Sequence, residues 1–310
     1  EKKLYAVANR THSKAVEFGG KYGVQKIYDK IEDMFTDEET DIIYITTPHN
    51  THIKFMIEAL KNGKHVLCEK SITLNSEELE EAVKIAKEKN LILGEAMTIF
   101  NMPLYAELLE IVNSGKLGDV KMIQVNFGSY KEYDMSNRFF NRNLAGGALL
   151  DIGVYAISIT RLFMTSKPDN VLSQVKYAPT GVDEQASIIM MNKEQQMSTI
   201  ALTLHSKQPK RVVIACEKAY IEITEYPRAD KAKIVYTETG EVQEILSGIT
   251  ANALQYELQN MEESVRTGIN KMKLDYTVDV MDIMTKLRKE WGMTYPEEEY
   301  NNLMEDLYIM

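Results

Sequence analysis

The chain has 310 residues, 44% hydrophobic and 26% charged, with a formal net charge of −10. That length suits about two domains, and the acidic balance, with no Lys/Arg cluster interleaved with aromatics, speaks against a nucleic-acid partner. No apolar run approaches the roughly 18–20 residues of a membrane span, Cys68 and Cys216 make no disulfide framework, and the histidines form no H-E-x-x-H pattern. The expectations are no membrane, no metal site and a reducing, cytoplasmic setting.

Residues 4–8 read as a buried strand with Asn9 and Arg10 at its carboxyl end. A helix is expected over 13–22, with Ala15, Phe18 and Tyr22 on its apolar face and Gly23 stopping it. An apolar patch at Ile27 and Tyr28 and a helical piece near 31–35 follow. Residues 41–46 make a second strand that ends at Thr47, Pro48, His49, Asn50, Thr51 and His52. Ile53, Met56, Ile57 and Leu60 then recur at helical spacing up to the turn at Asn62 and Gly63. The next apolar run, His65, Val66, Leu67 and Cys68, delivers Glu69 and Lys70 to a strand end. Asn75 and Glu78 read as a capping box for a helix over 76–89, and a short strand over 91–94 ends at Glu95.

These strands are continuously apolar and alternate with helices, which implies a parallel sheet covered on both faces. Right-handed crossovers bring successive strand ends to one edge, where ligands bind. Asn9, Arg10, Thr47, Pro48, Asn50, His52, Glu69, Lys70 and Glu95 are therefore expected along one rim, as cofactor-binding candidates. In a dinucleotide fold, a cation after the second strand pairs with a 2′-phosphate, whereas an acid there accepts from ribose hydroxyls. Arg10 thus favours NADP(H), with NAD(H) as the alternative. No G-x-G-x-x-G precedes the first strand, so the expectation is a truncated Rossmann domain lacking about one strand–loop–helix unit.

Pro103 suits the first turn of a helix with Leu104, Leu108, Ile111 and Val112 on one face. Residues 121–130 alternate as a half-exposed strand, followed by a polar, aromatic loop ending in Arg138, Phe139 and Phe140. A helix is expected over 148–164, with Asp151 and Tyr155 four apart on one face. A carboxylate in so apolar a stripe needs a partner. Segments near 171–178, 185–192, 196–206, 210–216, 219–224, 232–238 and 241–246 read as an antiparallel meander. Met190, Met191, Ile200, Ala201 and Leu202 put apolar residues on both of its faces, which predicts a homodimer or homotetramer through that sheet. Amphipathic helices near 251–267 and 277–292 close the chain. The expected class is α/β: a dinucleotide-binding domain over 1–97, then a substrate-binding and oligomerisation α+β domain over 98–310 with a large, open, mostly antiparallel sheet.

Three stretches carry a resemblance. Glu69-Lys70-Ser71 resembles E-K-P with Ser71 in place of proline; Thr47-Pro48-His49-Asn50-Thr51-His52 resembles T-P-N-x-x-H with His49 in place of asparagine. The run from Gly146 to Tyr155 resembles G-G-x-L-x-D-x-G-x-Y. Together they resemble the Gfo/Idh/MocA family of NAD(P)-dependent oxidoreductases, in its tyrosine-type branch of dihydrodiol and xylose dehydrogenases and glucose-fructose oxidoreductase. The resemblance implies hydride transfer between nicotinamide and a carbinol carbon of a sugar, polyol or cyclic diol. Lys70, Asp151 and Tyr155 would be catalytic, and with Arg138 they would bind substrate. Lys70 would stabilise a developing alkoxide and lower the phenol pKa of Tyr155 so that it acts as acid or base; Asp151 would orient the substrate hydroxyl or Lys70. The alternative readings are a non-catalytic dinucleotide-binding sensor, which has no reason to keep Lys70 and Tyr155 together, and an inactive truncated fragment.

Overall fold

The computed structural model describes residues 4–299. Its first part runs β1 (Ala6–Ala8), α1 (His12–Tyr22), β2 (Lys26–Tyr28), α2 (Ile31–Phe35), β3 (Ile42–Ile45), α3 (His52–Lys61), β4 (His65–Glu69), α4 (Ser76–Glu88) and β5 (Leu93–Ala96). Val66, Leu67 and Cys68 are at most 1% exposed, as a central strand requires, and β4 lies between β3 and β5, parallel to both. β1 pairs with β2 alone, also parallel. The strands thus form two hydrogen-bonded sets rather than the single sheet expected, because the described residues supply no strand that pairs with both β1 and β3.

Three local readings change. α1 seats through Ala15 and Gly19, not through Phe18 and Tyr22, which are 41% and 58% exposed and meet at a tilt, ring centres 4.6 Å apart. The reason is close approach: a Cβ on Gly19 would lie 2.6 Å from the end of Ile27. At α4 only half a capping box forms. The Asn75 side chain accepts from the Glu78 amide at 2.9 Å, but the Glu78 carboxylate takes the Leu74 amide, one residue earlier than the box requires. β5 starts two residues late, so Glu95 lies within the strand and not beyond its end.

The second part runs α5 (Thr98–Asn101), α6 (Pro103–Asn113), β6 (Val120–Gly128), a π-helical turn (Leu149–Gly153), α7 (Val154–Phe163), β7 (Asn170–Tyr177), β8 (Asp183–Met191), β9 (Met197–Thr203), β10 (Gln208–Cys216), β11 (Ala219–Thr224), β12 (Lys231–Tyr236), β13 (Val242–Leu246), α8 (Ala253–Thr267) and α9 (Leu274–Glu290). The eight strands order as β13-β12-β11-β10-β6-β9-β8-β7. The meander is therefore interrupted: β6 is inserted between β9 and β10 and runs parallel to β9, the one parallel pair in that sheet. Strict alternation makes one face apolar and buried. Ile234, Ile221, Ile214 and Ile123 stand side by side across four strands, none more than 0% exposed, and α7 and α9 pack over this face. The stretch Arg142–Phe163 is long and apolar enough to cross a membrane, but 78% of its most apolar window is buried inside the protein, as in the core helix of a globular fold.

Candidate functional site

A groove of ≈ 380 Å³ opens at the carboxyl ends of β3 and β4, lined by Thr46, Thr47, Pro48, His49, Glu69, Lys70, Arg138 and Leu144. Two loops build its floor. After β3, Pro48 starts a single 3₁₀ turn over His49–Thr51, and the Thr51 hydroxyl bonds back to the Pro48 carbonyl at 2.7 Å. After β4, the chain leaves through Glu69, Lys70 and Ser71, with a cis Lys70–Ser71 peptide. The loops are tied by two imidazoles. His49 Nε2 donates to the Lys70 carbonyl at 3.0 Å. His52 Nε2 lies 2.7 Å from the Thr47 carbonyl, and its Nδ1 faces those of Ser71 and Ile72. Burial, reinforced by the charge of Lys70, pushes His49 down to about 4, so its ring is neutral at neutral pH.

The β4 loop is stitched to the π-helical turn of the second part. The Lys70 ammonium donates to the Asp151 carbonyl at 2.7 Å and lies 3.3 Å from Asp151 Oδ1, and the buried Ser71 hydroxyl donates to the Leu150 carbonyl at 3.0 Å. The same ammonium sits over the Tyr155 ring, 4.9 Å from its centre. The helix expected over 148–164 begins with this π turn, which widens the backbone where Lys70 docks. Gly146 and Gly147 lead into it. A Cβ on Gly146 would lie within 2.9 Å of the carbonyls of Arg138, Phe139 and Asn141, so the glycine lets that loop press against the helix start. There Arg138 Nη2 reaches to 3.8 Å from Asp151 Oδ1.

Lys70, Asp151, Tyr155, Arg138, Glu69, Thr47 and Pro48 are thus brought to one place, and five other candidates are not. Glu95, expected on the rim, is 1% exposed; its carboxylate accepts from the Ile72 amide and the Thr277 hydroxyl, both at 3.1 Å, and so braces the loop from below. His52 is likewise fully buried between loops. The Asn50 amide is spent on Glu297 at 2.6 Å. Asn9 and Arg10 follow β1, exposed and outside the groove lining, with the Asn9 side chain accepting from the Thr11 amide.

Electrostatics change one further expectation. The phenol of Tyr155 is not lowered but raised well above its usual value, by burial first and then by the carboxylate of Glu69. The Lys70 ammonium lies over the ring and its hydrogen bonds go to Asp151, so its charge is committed to that carboxylate and carbonyl. For Asp151, burial favours the neutral acid, yet Lys70, Arg138 and Lys131 together hold its carboxyl below the usual range. Two residues that sequence reasoning missed also belong here. Tyr44 donates to Glu69 Oε1 at 2.6 Å from the neighbouring strand. Glu257 on α8 is 1% exposed with one carboxyl oxygen unpartnered, and burial with the nearby Glu69 raises it to about 8. Tyr44 had a local signal, since it pairs with Leu67 two residues before Glu69; Glu257 had none. Among the described residues no group of three His, Cys, Asp or Glu is placed to hold a metal ion.

Comparison with known proteins gives this geometry a setting. Residues 1–97 match the profile of the oxidoreductase family with NAD-binding Rossmann fold, and residues 105–222 match the GFO/IDH/MocA C-terminal domain. The chain is 28% identical over 302 residues to a trans-1,2-dihydrobenzene-1,2-diol dehydrogenase of Xenopus laevis, covering 94% of this chain and 91% of that one. It is 27% identical over 310 residues to the mouse (Mus musculus) protein of the same name, covering 96% and 92%. Among solved structures, the aldose-aldose oxidoreductase of Caulobacter crescentus superposes with a TM-score of 0.83 at 21% identity, covering 93% of this chain and 89% of that one. A 3-ketoreductase of Actinomadura kijaniata, solved with NADP and TDP-benzene, gives 0.80 at 17% identity, covering 91% and 87%; these two share the fold. With both family domains matched in order and curated relatives aligned over nearly the whole chain, the protein belongs to the Gfo/Idh/MocA family of oxidoreductases.

Proposed function

We propose that the protein is an NAD(P)-dependent oxidoreductase that transfers a hydride between nicotinamide and the carbinol or carbonyl carbon of a sugar, polyol or cyclic diol. The observation that carries this reading is the Lys70 ammonium, held at the groove by Asp151 and lying over Tyr155. The names of the curated relatives point the same way. The groove suits the nicotinamide end of a dinucleotide: Thr47 and Glu69 offer polar groups beside Lys70, and a hydride donor in reduction, or acceptor in oxidation, is the chemistry the dinucleotide would supply when bound. Lys70 then faces the reacting oxygen and stabilises the negative charge that grows on it. Tyr155 retains its proton, so its hydroxyl serves as the acid that protonates a carbonyl oxygen during reduction. Asp151 positions Lys70 through its carbonyl and Oδ1.

NADP(H) is favoured over NAD(H) because Arg10 is exposed at the end of β1 and makes no ion pair among the described residues, which leaves it available to a 2′-phosphate. The actinomadural reductase was solved with NADP, whereas a levoglucosan dehydrogenase of the same fold was solved with NADH. Residues 1–97 serve as the cofactor half and 98–310 as the substrate and oligomer half. The two unpaired cysteines fit a cytoplasmic setting. Self-association uses the outer face of the eight-stranded sheet.

The test is a fluorescence titration with NADPH and NADH, followed by a polyol and diol screen on wild type, Lys70→Ala and Tyr155→Phe. The expected outcome is tighter NADPH binding, retained in both variants, with kcat down about 10²–10⁴-fold. Binding of neither nucleotide, or turnover unaffected in Lys70→Ala, would remove the reading.

A further inference from the structure

Positive charge gathers at the Asp151 side of the groove, in a chain whose net charge is −10. Three cations converge on Asp151. Lys70 takes its Oδ1 at 3.3 Å, Arg138 stands 3.8 Å from the same oxygen, and Lys131 acts on it through its field. Lys131 and Arg138 share one aromatic support: the Lys131 ammonium lies 4.1 Å and the Arg138 guanidinium 4.2 Å from the centre of the Phe139 ring. Two like charges held on one ring repel each other, and Asp151 is already claimed by Lys70. Among the described residues Lys131 has no ion pair, and Arg138 has only the single long contact to Asp151, with its side chain 61% exposed. The guanidinium fork that suits a two-oxygen anion is therefore left open toward the groove it lines. The position is fixed by the backbone: the Gly147 amide donates to the Phe139 carbonyl at 3.0 Å, and Gly146 permits the close approach of the Arg138 carbonyl.

We propose that the substrate carries an anionic group, a carboxylate or a phosphate, held by Arg138 and Lys131 while its carbinol or carbonyl oxygen lies at Lys70, so that an acidic polyol is preferred to a neutral one. This rests on the dehydrogenase reading and adds the charge of the substrate to it. The reaction is balanced by the dinucleotide: the carbinol carbon gives its hydride to the oxidised nicotinamide and its hydroxyl proton leaves by way of the Tyr155 hydroxyl to solvent, leaving the ketone or aldehyde with the anion untouched. The anion fixes which end of the substrate points toward Lys70, an orienting role that a neutral polyol, similar at both ends, does not receive.

The experiment compares kcat/KM for gluconate and galacturonate (carboxylate arm), glucose 6-phosphate (phosphate arm) and the neutral sorbitol and glucose, at low and high salt. It uses wild type, Lys131→Gln, Arg138→Gln and the distant surface variant Lys193→Gln. Expected is an acid-over-neutral ratio of about tenfold or more that shrinks with salt, falls about tenfold in Lys131→Gln and Arg138→Gln and is unchanged in Lys193→Gln. Calorimetric titration of the better acid into the NADPH-loaded protein should show the same losses without turnover. Turnover of neutral polyols with an equal or higher kcat/KM, insensitive to salt, would overturn the inference and leave the dehydrogenase reading standing. So would variants that weaken NADPH and not the acid, since the cations would then serve the dinucleotide. Absence of NADPH binding would end both.

Discussion

At the scale of single residues, the site depends on how Lys70 is held from both ends. Its ammonium is fixed by Asp151 and its carbonyl by His49, so backbone and side chain are both constrained. A neutral imidazole does the second task best, because it donates one hydrogen bond without adding a second positive charge beside Lys70. Burial and the charge of Lys70 place its titration near 4, well below the working range. His49→Ala is therefore expected to lower kcat about tenfold through misplacement of Lys70, with little change in NADPH affinity. The pH profile between about 5.5 and 8 should be superimposable on that of wild type, because no ionisation of His49 falls there. A profile that loses a basic limb on this substitution would make His49 a proton carrier instead of a brace.

At the scale of elements, the junction of loop, glycine pair and π turn sets the geometry. Gly147 has a φ of 125°, and a Cβ there would sit 2.1 Å from Asp183 Oδ1. That carboxylate accepts from the Leu149 amide at 2.6 Å at the start of the π turn. Gly147→Ala should cost about 2–5 kcal/mol, combining backbone strain and overpacking. Gly20→Ala, in the interior of α1 with nothing within 4 Å of the added Cβ, should stabilise by about 0.5–1 kcal/mol. Urea denaturation of the two variants checks both signs. The same junction shows what the sequence made legible. Strand ends at Thr47 and Glu69 were readable because continuous apolar runs stop at polar residues there. The pairing of Lys70 with Asp151 was suggested by a family pattern that spans both halves. A π turn leaves no period of its own over five residues, so Leu149–Gly153 read as ordinary helix. Glu95 and His52 read as rim groups because polarity at a strand end looks the same whether the side chain faces solvent or, as here, caps buried amides and carbonyls of a neighbouring loop. Glu257 arrives from α8, far along the chain, and no local pattern announces such a contact.

At the scale of the whole molecule, two properties follow from what is buried and what is not. Burial raises Glu95 and Asp183 to about 7 and Glu257 to about 8, while burial lowers His49, His52 and His65. As pH rises above the unfolded histidine value of about 6.5 the histidines lose their charge in the unfolded chain as well, and the carboxyls increasingly dominate the difference between the two states. The folded protein then holds protons that the unfolded chain has released, so stability must fall as pH rises from about 6.5 to about 8; below that window the histidines oppose the trend. Melting temperatures across it should decline, and less steeply in Glu257→Gln. The second property is the outer face of the large sheet. One row runs across all eight strands as Val242, Val235, Tyr220, Ala215, Met122, Met197, Met191 and Asn170, each the register partner of the next. Only its last member is polar, and Val242, Tyr220 and Met197 are 54%, 38% and 39% exposed. Ile189 and Leu172, partners in the adjacent row, extend the apolar area toward β7, whereas Glu244, Lys233 and Glu222 make the opposite end charged. An apolar stripe bounded by charge is what an isologous two-fold contact buries. Light scattering should report a dimer or a multiple of it, and Met197→Glu, which places a charge mid-stripe without touching the groove, should shift it to monomer with melting lowered in proportion to the lost association. A wild type that is monomeric at all concentrations would leave the stripe unexplained and remove the oligomer from the account. A Met197→Glu monomer that still binds NADPH would show that the cofactor half does not depend on the contact.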